Sequence, residues 1–385
     1  MMAGHIRRRG KNSFELKWEL PRDPRTGKRV TRYKSFSGTK KAAQTELLRI
    51  TASMNSGGYV DPHKITVGEF LVRWLNDSAA PTVSARTYER YQEIVDDRLI
   101  PALGSARLSE LHPLHIQETY AAWLKEGRAD GKGGLSPRTV LHFHKVLYQA
   151  LEQAIKWHLL ARNPCRDVRA PKPRTPQIIT LSSEQLAALI DYAKGTRLYI
   201  PILLAGTAGL RRGEILGLKW SDIDFDASLL RVNRSLEKTK KGLALKPPKT
   251  ARGARSITLP EITIDALRRH MVEQKKHRLK RGKGYTDMGL VCPCTKGTFW
   301  EPRNLSRVFK RLIDSTNLPN VTLHGLRHSH ITHLLKANVH PKIASERAGH
   351  SSVAITMDVY SHAIPDMQRE AAAKIDEMMR AKPRK

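Results

Sequence analysis

Apolar residues keep two different periods along this chain. Phe14, Leu16, Trp18 and Leu20 alternate with Glu15, Lys17 and Glu19, the pattern of a half-buried strand. The run Pro21 to Gly27 (PRDPRTG) is turn chemistry. Val30 to Phe36 reads as a second strand, and Thr39 can cap a helix running to about Ile50. Gly57-Gly58 opens a linker. From residue 63 to 165 the period becomes helical. Thr66 to Glu69 spells a capping box. It opens a helix with Val67, Phe70, Leu71, Trp74 and Leu75 on one face. A second helix carries Tyr88, Tyr91, Val95 and Leu99, and a third Ile116, Tyr120, Trp123 and Leu124. Ser136-Pro137 places a cap and a first-turn proline before a long helix with Val140, Phe143, Leu147, Leu151, Ile155 and Leu159 inward.

Residues 169–177 (RAPKPRTPQ) hold three prolines and three basic residues, a stiff exposed linker. Ser182 to Gln185 is another capping box that opens a new domain of two helices and a β section. Ile223 to Val232 and Ser256 to Leu259 read as strands around a lysine-rich segment, and helices resume near Thr263. The fold class expected is multidomain and mainly α with small β sheets. It comprises a sheet-plus-helix module at 1–57, a helical domain at 63–165 and a mixed α+β domain at 175–385.

Charge then narrows the function. There are 68 Lys and Arg against 36 Asp and Glu, a formal +32, which predicts a polyanionic partner, nucleic acid first. Residues 1–60 alone carry 14 basic and 4 acidic residues. A short twisted sheet with exposed Arg and Lys could lie in a DNA groove. Cys165, Cys292 and Cys294 make no disulfide framework and no second pair for zinc, so they read as small buried thiols. The start MMAGHIRRRG lacks an apolar signal core, and no run approaches a membrane span. An intracellular protein with no membrane role is expected.

Three stretches carry chemistry. In TAGLRRGEILGLKWSDID (207–224), Arg211 and Glu214 lie three apart at the start of a helix. Glu214 can hold backbone or an arginine in place, leaving Arg211 to face an anion. In KPPKTARGARSITLP (246–260), Lys246 and Lys249 sit on an expected strand-to-strand turn. The third stretch is LHGLRHSHITHLL (323–335) with its continuation AGHSSVAITMDVYSH (348–362). Thr322 can cap a helix that puts His324 in its first turn and Arg327 one turn on, the composition of an anion site. His324 and His328 also have the spacing of a zinc pair, but no third ligand follows. His328, His330 and His333 read as packing or DNA-facing residues.

Together, Gly-Leu-Arg-x-x-Glu, a Lys on a β hairpin, His-x-x-Arg, Gly-His and Tyr360 ten residues later resemble the tyrosine recombinase (phage integrase) family, in family order and over essentially the whole chain. The resemblance implies an arm-type DNA-binding module at 1–57, a helical core-binding (SAM-like) domain at 63–165 and the catalytic domain at 175–385. It implies site-specific cutting and rejoining of DNA through a 3′-phosphotyrosyl intermediate, to integrate and, with a helper, excise a phage or mobile element. The bond energy is stored in that intermediate, so no ATP is implied, and arginine cations take the charge-stabilising role that a metal serves in other nucleases, so no metal or other cofactor is implied. The implied roles are Tyr360 as nucleophile, Arg211 and Arg327 as the phosphate clamp, and Lys249 as general acid with Lys246 as runner-up. His324 and His350 are implied on the phosphate or in proton transfer, and Glu214 in structural support. His362 could touch the site or be an exposed turn residue. Implied partners are double-stranded DNA at core and arm attachment sites, a homotetramer on DNA, and an excisionase and a host DNA-bending protein as helpers, in the cytoplasm of a bacterial host at the nucleoid. The helical spacing of Ala363, Ile364, Met367, Ala371, Ile375 and Met378 could serve a neighbouring protomer or close its own domain. A topoisomerase or resolvase using the same chemistry, and a non-enzymatic regulator on the same fold, are the alternatives. The basic N-terminal module argues against the resolvase, and the intact Arg, Lys, His, Arg, His and Tyr set against the regulator.

Overall fold

A computed structural model describes residues 4–20, 30–55, 65–174, 178–248, 253–360, 372–373 and 375–380. Two compact units divide the chain at 174/175. The expected turn at 21–27, the Gly57-Gly58 linker, Lys249, His362 and the tail positions Ala363 to Ala371 lie outside the described residues.

The first unit opens on an antiparallel sheet, β1 (His5–Gly10), β2 (Ser13–Leu20) and β3 (Val30–Ser37), followed by α1 (Lys40–Asn55). Phe14, Leu16 and Trp18 turn one face of β2 against Ala43, Leu47 and Ile50 of α1, which forms a small separate core. The strand His5–Gly10 was not expected. Its arginines carry no apolar alternation, and it joins the sheet through backbone pairing as an edge strand with only Ile6 half-buried. Helix α1 also runs five residues past Ile50, since nothing in the sequence there breaks a helix.

A second core gathers residues 65–168. Its helices are α2 (Val67–Trp74), α3 (Ala80–Thr82), α4 (Ala85–Ile94), α5 (Ile100–Leu103), α6 (Pro113–Glu126) and α7 (Pro137–Lys156). The Thr66 box closes with both hydrogen bonds, Glu69 N–H to Thr66 Oγ1 at 3.2 Å and Thr66 N–H to Glu69 Oε2 at 2.9 Å. Trp74 stacks on Tyr91 with centroids 5.6 Å apart. Helices α2 and α4 each continue through a five-residue π turn, Leu75–Ala79 and Val95–Leu99. Each π turn ends two residues before a proline, Pro81 and Pro101. Proline cannot donate to the preceding turn and crowds its carbonyl, and the wider turn opens the backbone there while keeping Leu75, Ala79, Val95 and Leu99 buried.

The second unit packs α8 (Ser183–Tyr192), α9 (Tyr199–Thr207) and α10 (Arg212–Gly217) into the largest core. Seven consecutive residues of α9, Ile200 to Gly206, are buried. Such a helix is held by apolar burial on every side, at roughly 1.5–3 kcal/mol per large aliphatic side chain. The expected single strand Ile223 to Val232 is instead a hairpin, β4 (Ile223–Asp224) and β5 (Leu229–Val232). Asp224 Oδ1 accepts from the N–H groups of Asp226 and Ala227 and folds the chain back. β6 (Ser235–Thr239) and β7 (Gly242–Lys246) form a separate hairpin, and β8 (Arg255–Thr258) completes the first sheet beside β5. Lys246 therefore ends a strand rather than sitting on a turn; Lys240 and Lys241 form the turn. Helices α11 (Glu261–Arg281), α12 (Pro302–Asp314), α13 (Leu323–Lys336), α14 (Pro341–Ala348) and α15 (Val353–Tyr360) follow. Cys165 and Cys292 are buried, but Cys294 is partly exposed. Residues 372–373 and 375–380 are helical, with Ile375, Met378 and Met379 exposed.

Candidate active site

Two left-handed glycines build the centre of the second unit. Gly209 (φ +65°) lies between α9 and α10, and Gly349 (φ +62°) ends α14. Neither position accepts a Cβ. At Gly209 it would come 2.7 Å from His330 Cδ2, and at Gly349 2.9 Å from Arg255 Nη1. Each glycine presents its carbonyl to an arginine of another segment: Arg327 Nη1 donates to Gly209 O at 2.6 Å and Arg211 Nη2 to Gly349 O at 2.7 Å.

Arg211 caps α10, and Glu214 accepts from its backbone N–H at 2.9 Å and from its Nη1 at 2.8 Å. The Arg211 side chain keeps 37% of its surface open, whereas Glu214 keeps 5%. Burial raises the Glu214 carboxyl, but the hydrogen bonds and charge of Arg255, with those of Arg211, outweigh it and hold the group below its ordinary value.

Thr322 caps α13 through Gly325 N–H at 3.0 Å. One turn in, Arg327 is fully buried. Its partners are main-chain carbonyls, Gly209 O and Ala348 O, and its Nε is buried without a partner among the described residues. Burial and the charge of Arg211 push it down to about 9, which leaves it cationic at neutral pH. A buried guanidinium with no carboxylate on its own nitrogens is poised for an anion.

His324 keeps an exposed edge on the first turn, yet its packed surroundings and the charges of Arg327 and Arg211 lower its pKa. Its ring meets His328 edge-to-face at 4.5 Å. His350 is 9% exposed, with Nδ1 2.9 Å from the buried Thr356 hydroxyl, and burial with Arg327 and Arg211 takes it to about 4. Both imidazoles are neutral at pH 7 and can pass or accept a proton. His330 and His333 are tied to backbone, Nδ1 to Gly206 O at 3.1 Å and Nε2 to Leu181 O at 2.9 Å. Among the described residues no cluster of three His, Cys, Asp or Glu could hold a metal ion.

Arg211, Glu214, Arg327 and His350 are thus brought together, with His324 within electrostatic reach. Lys246 is not free: its ammonium is ion-paired with Glu237, and both are largely buried. Tyr360 ends α15, the helix that also carries Thr356. One residue escaped the sequence reading. Arg255, the first residue of β8, is nearly buried and forks onto Glu214, Nη2 to Oε2 at 2.9 Å and Nη1 to Oε1 at 3.1 Å. It shares the inward face of the strand with Ile257, and an arginine on that face of a period-two pattern was the available signal.

Residues 180–366 match the model of the phage integrase family, and residues 66–124 the phage integrase N-terminal SAM-like domain. The chain belongs to the phage integrase family. Its members are tyrosine recombinases, enzymes that cleave and rejoin DNA. The chain is 28% identical over 388 residues to a XerC-like tyrosine recombinase of Caldanaerobacter subterraneus subsp. tengcongensis, covering 96% of this chain and 97% of that protein. It is 27% identical over 253 residues to the ICEBs1 integrase of Bacillus subtilis strain 168, covering 64% and 67%. Its fold matches the Tn1549 transposon integrase solved with transposon right end DNA, at TM-score 0.65, 23% identity, and 80% and 100% coverage. It also matches a lambda integrase dimer on a core site, at TM-score 0.56, 19% identity, and 92% and 94% coverage. Among the described residues no helix is long and apolar enough to cross a membrane.

Proposed function

We propose that this recombinase integrates, and with an excisionase removes, a phage or other mobile element by strand transfer at a DNA attachment site. Tyr360 Oη attacks the scissile phosphorus. The bond from phosphorus to the 5′ oxygen breaks, and a 3′-phosphotyrosyl ester retains its energy. Arg211 and Arg327 hold the nonbridging oxygens, where charge builds in the transition state. Lys249 gives its proton to the departing 5′ oxygen. His324 and the Nε2 of His350 bond the phosphate or carry the tyrosine proton. A second 5′ hydroxyl reverses the step on the partner duplex, so no external energy source enters. Glu214 supports the site.

Supporting this reading above all is the meeting of Arg211 and Arg327 at the carbonyls of Gly349 and Ala348, just before His350 and Tyr360 in the chain. In this reading the 1–57 module binds arm sites, the 63–165 domain grips the core site and 175–385 is catalytic. Four protomers act on two duplexes, as in the lambda integrase tetramer solved on a Holliday junction. A host DNA-bending protein assists, and the reaction takes place at the bacterial nucleoid.

The test is covalent trapping. Nicked duplexes from DNA flanking the gene are incubated with wild-type chain and Tyr360→Phe in EDTA, then run on a denaturing gel. A protease-sensitive DNA–protein band with wild type alone is expected. A band that persists in Tyr360→Phe moves the nucleophile elsewhere, and tight binding without any band points to a DNA-binding regulator.

A further inference from the structure

Three arginines from three elements end on three consecutive carbonyls. Arg255 Nε donates to Arg347 O at 2.7 Å, Arg327 Nη2 to Ala348 O, and Arg211 Nη2 to Gly349 O at 2.7 Å. These carbonyls close the C-terminal turn of α14, where the helix dipole is negative. They lead directly into His350. Two of the arginines already have a role on the phosphate. Arg255 cannot share it, because its nitrogens are committed. Nη1 and Nη2 fork onto Glu214, Nη1 also reaches Gly253 O at 3.1 Å, and Nε holds Arg347 O.

What the fork does follows from Glu214. This carboxylate is nearly buried and takes hydrogen bonds on both oxygens. With Arg255 in place, Arg211 gives it a single guanidinium hydrogen bond and keeps Nη2 on Gly349 O. Without Arg255, a buried carboxylate would remain with one cation beside it. The cheapest compensation is for Arg211 to turn its own fork onto Glu214, since a bidentate pair is the strongest arrangement available to those groups. The guanidinium that should face the phosphate would then be engaged elsewhere.

We propose that Arg255 is a positioning residue of the strand-cleavage site: it neutralises Glu214 so that the open face of Arg211 stays available to the phosphate. The inference rests on the reading of Arg211 as a phosphate-binding group.

Single-turnover formation of the Tyr360–DNA adduct tests it in the full chain. The variants are Arg255→Gln, Arg211→Gln, the double Arg211→Gln/Arg255→Gln, and Glu214→Gln/Arg255→Gln. All are assayed well below their melting temperatures. A misplaced clamp costs about a hundredfold in rate, and that loss is expected for Arg255→Gln. The double Arg211→Gln/Arg255→Gln is expected to be no slower than Arg211→Gln alone, because Arg255 acts through Arg211. Removing the buried charge with Glu214→Gln should recover at least tenfold of the Arg255→Gln loss, which a merely structural tether would not do. Should Arg255→Gln fail to fold, Arg255→Lys keeps one positive charge without the fork and should fall between wild type and Arg211→Gln. Additive losses, or no recovery with Glu214→Gln, overturn the inference. An active wild type with an Arg255→Gln rate equal to it does so as well, while a wild type that forms no Tyr360-dependent adduct overturns the underlying reading instead.

Discussion

Acid should loosen the second unit long before its carboxylates titrate. Three histidines of α13 and its sequel are held neutral by burial and neighbouring positive charge: His330 at about 3, His328 at about 4 and His350 at about 4. Unfolded, each returns to about 6.5. Between pH 6.5 and 4 the unfolded chain therefore binds protons that the folded chain refuses, and stability falls as pH falls. The stabilisation is complete above pH 6.5 and is lost on the way down to the folded values. At pH 5 each histidine costs about 2 kcal/mol, from 1.36 kcal/mol per pH unit over roughly 1.5 units. This figure barely depends on whether the folded value is 3 or 4, because both lie below the working pH. The sum of about 6 kcal/mol compares with a total stability of about 5–15 kcal/mol for a domain. His324 and His270, lowered chiefly by burial, act in the same direction. Urea unfolding of the full chain at pH 7.5, 6 and 5, read by hydrogen exchange of peptides from α9 and α13, should show this loss. His330→Gln should reduce the pH slope by close to one proton. Equal protection at pH 7.5 and 5 would refute the account of these histidines as buried and neutral.

Other outcomes follow from single contacts. Gly349→Ala places a Cβ 2.9 Å from Arg255 Nη1 in a left-handed conformation, so a loss of about 1–2 kcal/mol from the backbone alone is expected in chemical denaturation, together with slower adduct formation; wild-type values for both would contradict the fit described here. Lys249→Ala should lose cleavage of an ordinary phosphodiester and regain it on a 5′-bridging phosphorothiolate, whose sulfur leaves without a proton, whereas Lys246→Ala, whose ammonium is tied to Glu237, should cleave both. The reverse pattern would exchange their roles. Replacing exposed Arg7 and Arg8 of β1 with alanine should lower the slope of log binding constant against log salt by about 2 on arm-site DNA; an unchanged slope would remove that strand from the DNA face.

What was legible in the sequence was what is local. Capping boxes at Thr66 and Ser182, the first-turn proline at Pro137 and the 3.6-residue stripes all report contacts within a few positions, and those helices begin where expected. Arg211 and Arg327 were singled out by motif order and family resemblance, and the structure brings both to neighbouring carbonyls. Less could be seen where the deciding contact is distant. Arg255 acts on Glu214, 41 positions earlier, and only the folding of β8 beside β5 brings them together. The strand His5–Gly10 has backbone pairing but no apolar rhythm, so periodicity was silent. The hairpin inside Ile223 to Val232 hid because Ile223, Phe225 and Ala227 alternate with Asp224, Asp226 and Ser228 as in a single strand, while Asp224 Oδ1 turns the chain by accepting from the N–H groups of Asp226 and Ala227.

The two π turns have a consequence for how the helical domain can vary. A π turn holds one residue more than the α-helical turn it replaces. Leu75–Ala79 and Val95–Leu99 each accommodate one extra residue while Leu75, Ala79, Val95 and Leu99 stay buried. A chain one residue shorter at either place, with Pro81 or Pro101 also replaced, could run as a plain α-helix with the same core. Sequence alignments of this domain should thus open single-residue gaps inside these helices rather than in the loops between them, and an alignment that forbids gaps in helices would shift every contact beyond them by one position.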